Sequence, residues 1–335
     1  MNSQKIDKFP PPPGVINSLR AGYGVVSSHV WLILMPIVFD SFLWLGPRLS
    51  AGRLYSSLVS GLLEILKDRP LPATEMKTIT DSVETFGRLN WLSWIRTFPV
   101  GISSLEAFFV ADKFTLQTPI GLQNVIHFNS ITSMLGWTLL LTLIGWVGGS
   151  VYFRLVSLAS LGREDAGISV VRAVIQTIIL SVVWIICLII VTMPISLIVG
   201  AVGLLSPGLS NAILFVLVLL SYWLIVPLFF TPHGIFTRRQ NALYSVYTSL
   251  RMSRFTFPTS GMFVLTVFLV TRGLDFLWSV PTNDTWMKLV GIFGHAFIST
   301  TLLAASFIYY RDINTWLQIV LEQIQQKRGM PTQQA

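Results

Sequence analysis

Apolar residues run for long distances along this chain with almost no charge between them. Residues 173–237 form a stretch of 65 residues without a single Asp, Glu, Lys or Arg. A helix crosses the hydrocarbon layer of a bilayer in about 20 residues, so this stretch is long enough for two crossings and a turn. The turn is predicted at 205–211, where Pro207, Gly208 and small polar residues replace the branched apolar run. The pattern therefore predicts a polytopic membrane protein.

The same pattern predicts six transmembrane helices. Their approximate bounds are 25–45, 131–153, 174–204, 211–230, 261–280 and 289–310. The third is long enough to tilt, or to bend at Pro194, which has no N–H to donate to the helix. The predicted fold class is all-α: an integral membrane helical bundle with about six transmembrane helices plus interfacial amphipathic helices. Residues 1–335 are predicted to form a single membrane domain.

The long connection at 46–130 is the only place for a sizeable structure outside the membrane. Its first helix is predicted from leucines that recur every fourth residue, namely Leu54, Leu58, Leu62 and Leu66. A second amphipathic helix follows Pro72, and an aromatic segment begins at Trp91. We expect an extracytoplasmic or interfacial helical insertion between spans one and two. Two roles remain open for it: a cap on the bundle, or a lid over a cavity for a lipid or solute.

Lys and Arg in the short connections predict the orientation. Thirteen basic residues lie in the N-terminal segment, the second and fourth connections and the C-terminal tail, whereas the third and fifth connections offer only Lys288. Cytoplasmic loops carry such an excess. We therefore expect a multi-pass protein of the plasma (inner) membrane with both termini in the cytoplasm and a cytoplasmic tail at 312–335.

One basic segment on that inner side, residues 234–255, is predicted to be a surface helix. Its apolar residues would face the bilayer while its arginines face lipid phosphates and water. These candidate contacts to anionic lipids are Arg238, Arg239, Arg251 and Arg254. Ordinary positive-inside topology explains the same arginines equally well, and both interpretations stay open.

Composition supports a membrane protein and limits its chemistry. The chain is 53% hydrophobic and only 11% charged, against about 25% charged in an ordinary soluble domain. The net charge of +8 does not indicate nucleic acid as a partner, because the basic residues are spread through loops between apolar spans. The sequence lacks the hydrolase, metalloprotease, phosphate-loop and intramembrane aspartyl protease motifs. We therefore expect no catalytic activity, no cofactor and no metal, with membrane lipids and other membrane proteins as the partners.

Four ionisable residues fall inside predicted spans, where a charge costs about 2.5–3.5 kcal/mol. They are Asp40, Arg272, Asp275 and His295, and at 1.5 Å per residue all four lie in the outer half of the bilayer. They predict a buried polar cluster. In one interpretation the cluster binds a proton, an ion or a lipid head group. In the other it is structural, with Arg272 paired to Asp275 or Asp40.

Two glycines four residues apart, Gly145 and Gly149, lie in the second span. This spacing lets another segment approach a transmembrane helix closely. Tight packing within the chain and dimerisation are both compatible with it.

Three segments carry a resemblance to known proteins. They are the run of prolines at 10–13 followed by Gly14, the segment 231–236, and the segment from Gly294 to Asp312. In these residues the chain resembles a family of uncharacterised polytopic bacterial membrane proteins. A fainter likeness, carried by residues 240–254, is to the membrane domain of bacterial glycerophosphodiester phosphodiesterases. The catalytic domain of those enzymes is not present, so the likeness implies no activity.

The sequence therefore favours a non-catalytic scaffold or lipid-interacting protein of the plasma membrane. A transporter or channel with a polar site in the outer half of the bilayer is the alternative.

Overall fold

The computed structural model describes residues 10–65, 73–108, 116–162 and 167–329. Helix makes up 80% of the structure, which confirms the predicted all-α fold class. The described residues form ten helices, and these are α1 (Val15–Ser28), α2 (Leu34–Leu45), α3 (Gly52–Ile65), α4 (Ala73–Arg88), α5 (Ile131–Leu161), α6 (Val170–Leu205), α7 (Pro207–Phe229), α8 (Thr231–Arg238), α9 (Ala242–Trp278) and α10 (Lys288–Gly329). Four short strands also lie in these ranges: β1 (Arg48–Ser50), β2 (Gln117–Thr118), β3 (Gly121–Leu122) and β4 (Val125–His127).

Five of the described helices, α5, α6, α7 continued by α8, α9 and α10, are long and apolar enough to cross a membrane. The sixth crossing exists only if α1 and α2 count as one broken span. The predicted continuous helix at 25–45 is interrupted at His29, and a 3-10 turn at Val30–Ile33 leads into α2. Pro36 lies in the first turn of α2, where its missing N–H costs no hydrogen bond of the helix.

The chain divides into two compact units that interleave along the sequence. The first unit comprises the described residues of Met1–His29, Arg154–Leu269 and Thr301–Ala335, and the second comprises those of Val30–Phe153 and Val270–Thr300. In the first unit α1 lies directly against α10. A Cβ on Gly22 would be 2.6 Å from the carbonyl oxygen of Thr301, so only glycine permits this approach.

Within the first unit, α6 and α7 form a helical hairpin. Ser206 ends α6 and caps α7, and Ser210 donates to the carbonyl of Val199 at 3.1 Å. The outward surface of the hairpin is apolar, with side chains such as Ile190 66% exposed and Val218 67% exposed. A continuous apolar surface of this kind is unfavourable in water and suits a hydrocarbon surrounding. The protein is accordingly a multi-pass membrane protein.

The predicted surface helix at 234–255 is wrong as a separate element. Its first residues belong to α8, Arg239 adopts a left-handed backbone with φ of 54°, and the remainder is the first part of the long α9. In this part of α9 Ser245 and Ser249 are buried, while Leu243 and Arg251 are exposed. Small polar residues at helix contacts allow close packing and short hydrogen bonds in a membrane protein.

The second unit contains the connection at 46–130. The two amphipathic helices expected there are present as α3 and α4, and Gly52 of α3 lies against Gly87 of α4. Leu58 and Leu62 of α3 are each 52% exposed, while Leu66 lies outside the described residues. The sequence did not predict the strands, in which β1 pairs in parallel with β4 and β2 forms a hairpin with β3. Strands of two or three residues are too short to show alternation in sequence.

The glycine pair of α5 receives a loop of the second unit. A Cβ on Gly145 would lie 2.2 Å from the carbonyl oxygen of Ile95, and one on Gly149 would lie 2.7 Å from the Cα of Gly101. The two glycines therefore serve packing within the chain, and the partner is the loop at 95–101 instead of a second helix. This loop leads straight into Ser103 and Ser104.

Candidate functional site

The four predicted cluster residues all belong to the second unit. Asp40 comes from α2, Arg272 and Asp275 come from the end of α9, and His295 comes from the start of α10. Asp40 is fully buried and His295 is 2% exposed, whereas the side chain of Arg272 is exposed. The structure connects Asp275 and His295 directly, and joins them to the loop that follows Gly101.

Asp40 holds the backbone of that loop. Its carboxylate accepts hydrogen bonds from the Ser104 hydroxyl at 2.5 Å, from the Leu105 N–H at 3.0 Å and from the Glu106 N–H at 3.3 Å. Ser104 in turn accepts from the N–H of Ala107 at 3.0 Å. These bonds satisfy the donors that open the 3-10 turn at Glu106–Phe108, as a helix N-cap does. Asp40 thereby fixes the path of the chain immediately after Ser103.

His295 joins a carboxylate to a hydroxyl. Its Nδ1 lies 2.7 Å from Oδ1 of Asp275, and its Nε2 lies 3.0 Å from Oγ of Ser103. An ionised carboxylate only accepts hydrogen bonds, so Nδ1 carries the proton that faces Asp275. In the neutral imidazole Nε2 is then the acceptor, and the Ser103 hydroxyl donates to it. The second oxygen of Asp275, Oδ2, is buried and has no hydrogen-bond partner among the described residues.

Close packing of α9 against α10 places Asp275 beside His295. A Cβ on Gly291 would lie 2.3 Å from the carbonyl oxygen of Trp278, and one on Gly294 would lie 2.8 Å from the Trp278 ring. These two glycines admit the tryptophan to the surface of α10 one turn from His295. The close approach of α9 to α10 therefore depends on the absence of side chains at Gly291 and Gly294.

Two arginines contribute positive charge near the cluster. The pKa of Arg96 is lowered to about 10, chiefly by burial and also by the neighbouring charge of Arg272, while the charges of Asp275 and Asp40 act in the opposite direction. Arg96 lies in the loop after a 3-10 turn at Trp91–Ile95, and sequence analysis gave no reason to select it. It is thus close enough to both aspartates and to Arg272 for their charges to interact.

A second group of charges lies in the same unit. Nζ of Lys288 is 2.9 Å from Oε1 of Glu106, and the two side chains are 1% and 8% exposed. Burial raises the pKa of Glu106, and the charge of Lys288 opposes that rise. Arg48 on β1 is also buried, which lowers its pKa to about 10, and the charge of Glu106 opposes this change. The buried carboxylate of Glu106 therefore interacts with two buried cations, Lys288 and Arg48.

A small pocket with a cavity volume of about 20 Å³ adjoins this charge group. Glu106 and Arg48 line it together with neutral polar side chains, which include Asn90, Gln123 and Asn283. Several of these side chains already serve the fold, because Gln123 donates to the carbonyl of Trp44 at 2.6 Å and Asn90 accepts from two backbone N–H groups. The sequence analysis did not select Glu106 or Arg48, because both residues lie outside the predicted spans.

The four arginines predicted to contact lipids lie in the first unit, and all are exposed: Arg238, Arg239, Arg251 and Arg254. On α9 they alternate with exposed apolar and aromatic side chains, such as Tyr244 at 56% and Tyr247 at 58% exposure. Arg172 of α6 donates to the carbonyl of Arg239 at 2.9 Å. The arginines therefore share a surface with aromatic rings that also prefer the membrane interface.

The first unit contains a second pair of histidine and serine. Nε2 of His233 on α8 lies 2.7 Å from Oγ of Ser306 on α10, and both residues are buried. The rings of Phe229, Phe307 and Tyr310 surround the imidazole. Within the described residues no carboxylate forms an ion pair with His233. This pair is a structural contact in an aromatic interior.

No group of three or more His, Cys, Asp or Glu in the described part of the chain has the geometry to hold a metal ion. No family model matches the chain, and comparison with curated proteins and with solved structures likewise finds no match. The two resemblances described under the sequence therefore stay predictions. Functional conclusions have to come from the residues themselves.

Proposed function

We propose that this protein binds anionic lipids at the cytoplasmic face of a plasma membrane, as a lipid-interacting or scaffolding component. The observation that carries the proposal is the outward face of α9, where Arg251 and Arg254 lie beside exposed tyrosines and leucines. A guanidinium forms bidentate hydrogen bonds with phosphate, and each basic side chain near an anionic leaflet contributes about 1 kcal/mol to binding. Tyrosine rings favour the same depth in the bilayer.

The orientation belongs to the same proposal. The excess of Lys and Arg in alternate short connections supports a cytoplasmic position for α8, the start of α9 and both termini. Reporter fusions after Ala335 and within 205–211 are expected to report opposite sides of the membrane. Reporters on the same side would refute the orientation and move the arginine surface to the other leaflet.

Lipid binding is tested on the full chain in nanodiscs that contain phosphatidylcholine with or without phosphatidylglycerol. Arg251→Gln combined with Arg254→Gln is expected to reduce retention of phosphatidylglycerol during purification, measured by native mass spectrometry. Arg53→Gln combined with Lys77→Gln removes the same charge from exposed positions in α3 and α4, and is expected to leave retention unchanged. Equal retention in both double variants would contradict the proposal, because net charge alone would then explain the lipid.

A transporter or channel is the second candidate. It is supported by the buried charges of the second unit, Glu106, Lys288 and Arg48, beside a polar pocket. Buried ionisable groups beside a pocket are candidates for a functional site. Proton flux into vesicles, followed with an internal pH dye, is expected to fall in Glu106→Gln if this candidate is correct. Absence of flux from the unmodified protein would exclude proton transport.

A further inference from the structure

Ser103, His295 and Asp275 are arranged in the order and at the distances of a nucleophile, its general base and the acid that orients the base. Oγ of Ser103 is 3.0 Å from Nε2 of His295, and Nδ1 of the same imidazole is 2.7 Å from Oδ1 of Asp275. Such a group is recognised by geometry and by the role of each atom, whatever fold carries it. Here the three residues come from a loop, α10 and α9.

Ser103 is held in place by contacts that are independent of His295 and Asp275. Asp40 binds the N–H groups of Leu105 and Glu106 and so fixes the loop after Ser103. Gly145 and Gly149 seat the preceding loop against α5, with room for backbone only. Preorganisation of this kind is what a catalytic group requires, because an error of about 1 Å in position can cost a factor of about 100 in rate.

The serine is also reachable. Ser103 is half-buried, whereas His295 is 2% exposed and its carboxylate partner is 14% exposed. A partly exposed serine in front of a buried base is the arrangement that lets a substrate meet the nucleophile while water is kept from the imidazole. Arg96 and the exposed Arg272 add positive charge to the same neighbourhood. Asp40 is fully buried and Asp275 is 14% exposed, so the charge most exposed to a substrate is that of Arg272, which favours an anionic group over a cationic one.

We propose that Ser103, His295 and Asp275 form an acyl-transfer centre for an amphipathic carboxylic ester that carries an anionic group. This inference goes beyond lipid docking on α9, since it concerns a different unit and different residues. It also opposes the expectation of no catalysis, which rested on the absence of sequence motifs. Motifs describe residues that are close in sequence, and these three are separated by 172 and 20 positions.

The proposed reaction is ester hydrolysis through an acyl-serine, with His295 carrying the proton in each step. The Ser103 oxygen attacks the ester carbonyl carbon as its proton passes to Nε2 of His295, and the carbonyl oxygen becomes an alkoxide. Collapse of this intermediate breaks the bond to the ester's alkoxy oxygen, which leaves as an alcohol with the proton from His295. Water then attacks the acyl-serine, gives a proton to His295, and releases a carboxylic acid as Ser103 recovers its proton. Asp275 remains ionised and stabilises the imidazolium in both steps.

The chain supplies its own control in the Ser306–His233 contact. The distance from serine oxygen to imidazole is 2.7 Å there, shorter than at Ser103, yet Ser306 is 1% exposed and its histidine has no ion-paired carboxylate among the described residues. If a serine–histidine contact alone produced reactivity, both serines would react. The proposal predicts reaction at Ser103 only.

The test is covalent labelling of the full chain in detergent micelles with an alkyl fluorophosphonate, in which serine oxygen displaces fluoride from phosphorus. Peptide mass spectrometry is expected to find the adduct on Ser103. His295→Asn is expected to slow labelling about 100-fold, the loss typical of a missing general base. Ser306→Ala is expected to label at the unmodified rate. Thermal unfolding of each variant in the same detergent separates loss of the base from loss of the fold.

Two results would overturn the inference: no adduct on Ser103 in the unmodified protein, or an adduct that forms at the same rate in a folded His295→Asn variant. The substrate class is tested by competition. Micelles that contain phosphatidylglycerol are expected to slow labelling more than micelles that contain phosphatidylcholine, and equal protection would refute the requirement for an anionic group. Failure of the α9 arginine variants to affect lipid retention would leave these measurements unaffected, so the two proposals fail separately.

Discussion

The chain contains two contacts between a serine and a histidine, and their surroundings differ in kind. The contact of Ser306 with His233 lies among aromatic rings in the first unit and is closed to solvent. The contact of Ser103 with His295 lies in the second unit, where aspartates, a buried ion pair and a half-exposed hydroxyl replace the rings. Apolar packing fixes the first contact, and charge with hydrogen bonds fixes the second. The pair in the first unit is structural, and we propose that the pair in the second unit is reactive because a carboxylate orients its imidazole.

The largest expected effect comes from the buried charges of the second unit. Glu106→Leu leaves Lys288 and Arg48 buried without their carboxylate, and breaking a buried pair typically costs about 3–5 kcal/mol. We expect a marked fall in the temperature of unfolding in detergent. Lys288→Met added to Glu106→Leu is expected to recover part of the loss. If Glu106→Leu left the unfolding temperature unchanged, buried charge would not stabilise the second unit. The contrast between a unit held by apolar packing and a unit held by charge would then be wrong.

The next effect concerns the support of Ser103. In Asp40→Asn an N–H₂ group replaces one carboxylate oxygen and faces N–H and O–H donors, so at least one buried donor loses its acceptor. We expect a loss of about 2–3 kcal/mol, typical of hydrogen bonds to a buried charge. Fluorophosphonate labelling of Ser103 should slow as the loop loses its anchor. Unchanged labelling would show that Asp40 stabilises the fold without positioning the serine.

Overpacking beneath the same loop gives an intermediate effect. The Cβ of Gly149→Ala would lie 2.7 Å from the Cα of Gly101, so backbone has to move, at a cost of about 1–3 kcal/mol. Gly136→Ala on the same helix has no atom within 4 Å of the new Cβ and is expected to be neutral or stabilising by about 0.5–1 kcal/mol. Thermal unfolding of both variants measures the difference. Equal effects would mean that the loop does not rest on α5.

The smallest effects are expected from one side chain in each unit, Ser306 in the first and Arg272 in the second. Ser306→Ala removes one hydrogen bond to a neutral histidine and should cost about 0.5–1.5 kcal/mol. Arg272→Ala should cost less than about 1 kcal/mol, because the side chain is exposed and ion pairs at exposed positions contribute little to stability. Thermal unfolding reports both. A loss of several kcal/mol in Arg272→Ala would instead support the structural pairing of Arg272 with a carboxylate.

The sequence predicted part of the polar cluster but not Ser103, the residue that His295 contacts through its second ring nitrogen. Asp275 and His295 were selected because a charge in an apolar span is costly, and the structure joins them directly. Ser103 and Arg96 gave no such signal, since serine and arginine are ordinary in a connection between spans. The break in the first span was likewise missed, because no glycine or proline lies next to His29 to indicate it.

The sequence by itself determined that the chain is helical and crosses a membrane several times, because the hydrophobic effect acts on every residue of a long apolar run regardless of its distant neighbours. It also indicated that α5 is approached closely by another segment, because Gly145 and Gly149 have no side chains to prevent it. Only the tertiary structure decided what approaches them, and that the approaching loop delivers Ser103 to His295. Hydrogen bonds depend on position to within a few tenths of an ångström between residues far apart in the chain, and no local pattern encodes that distance.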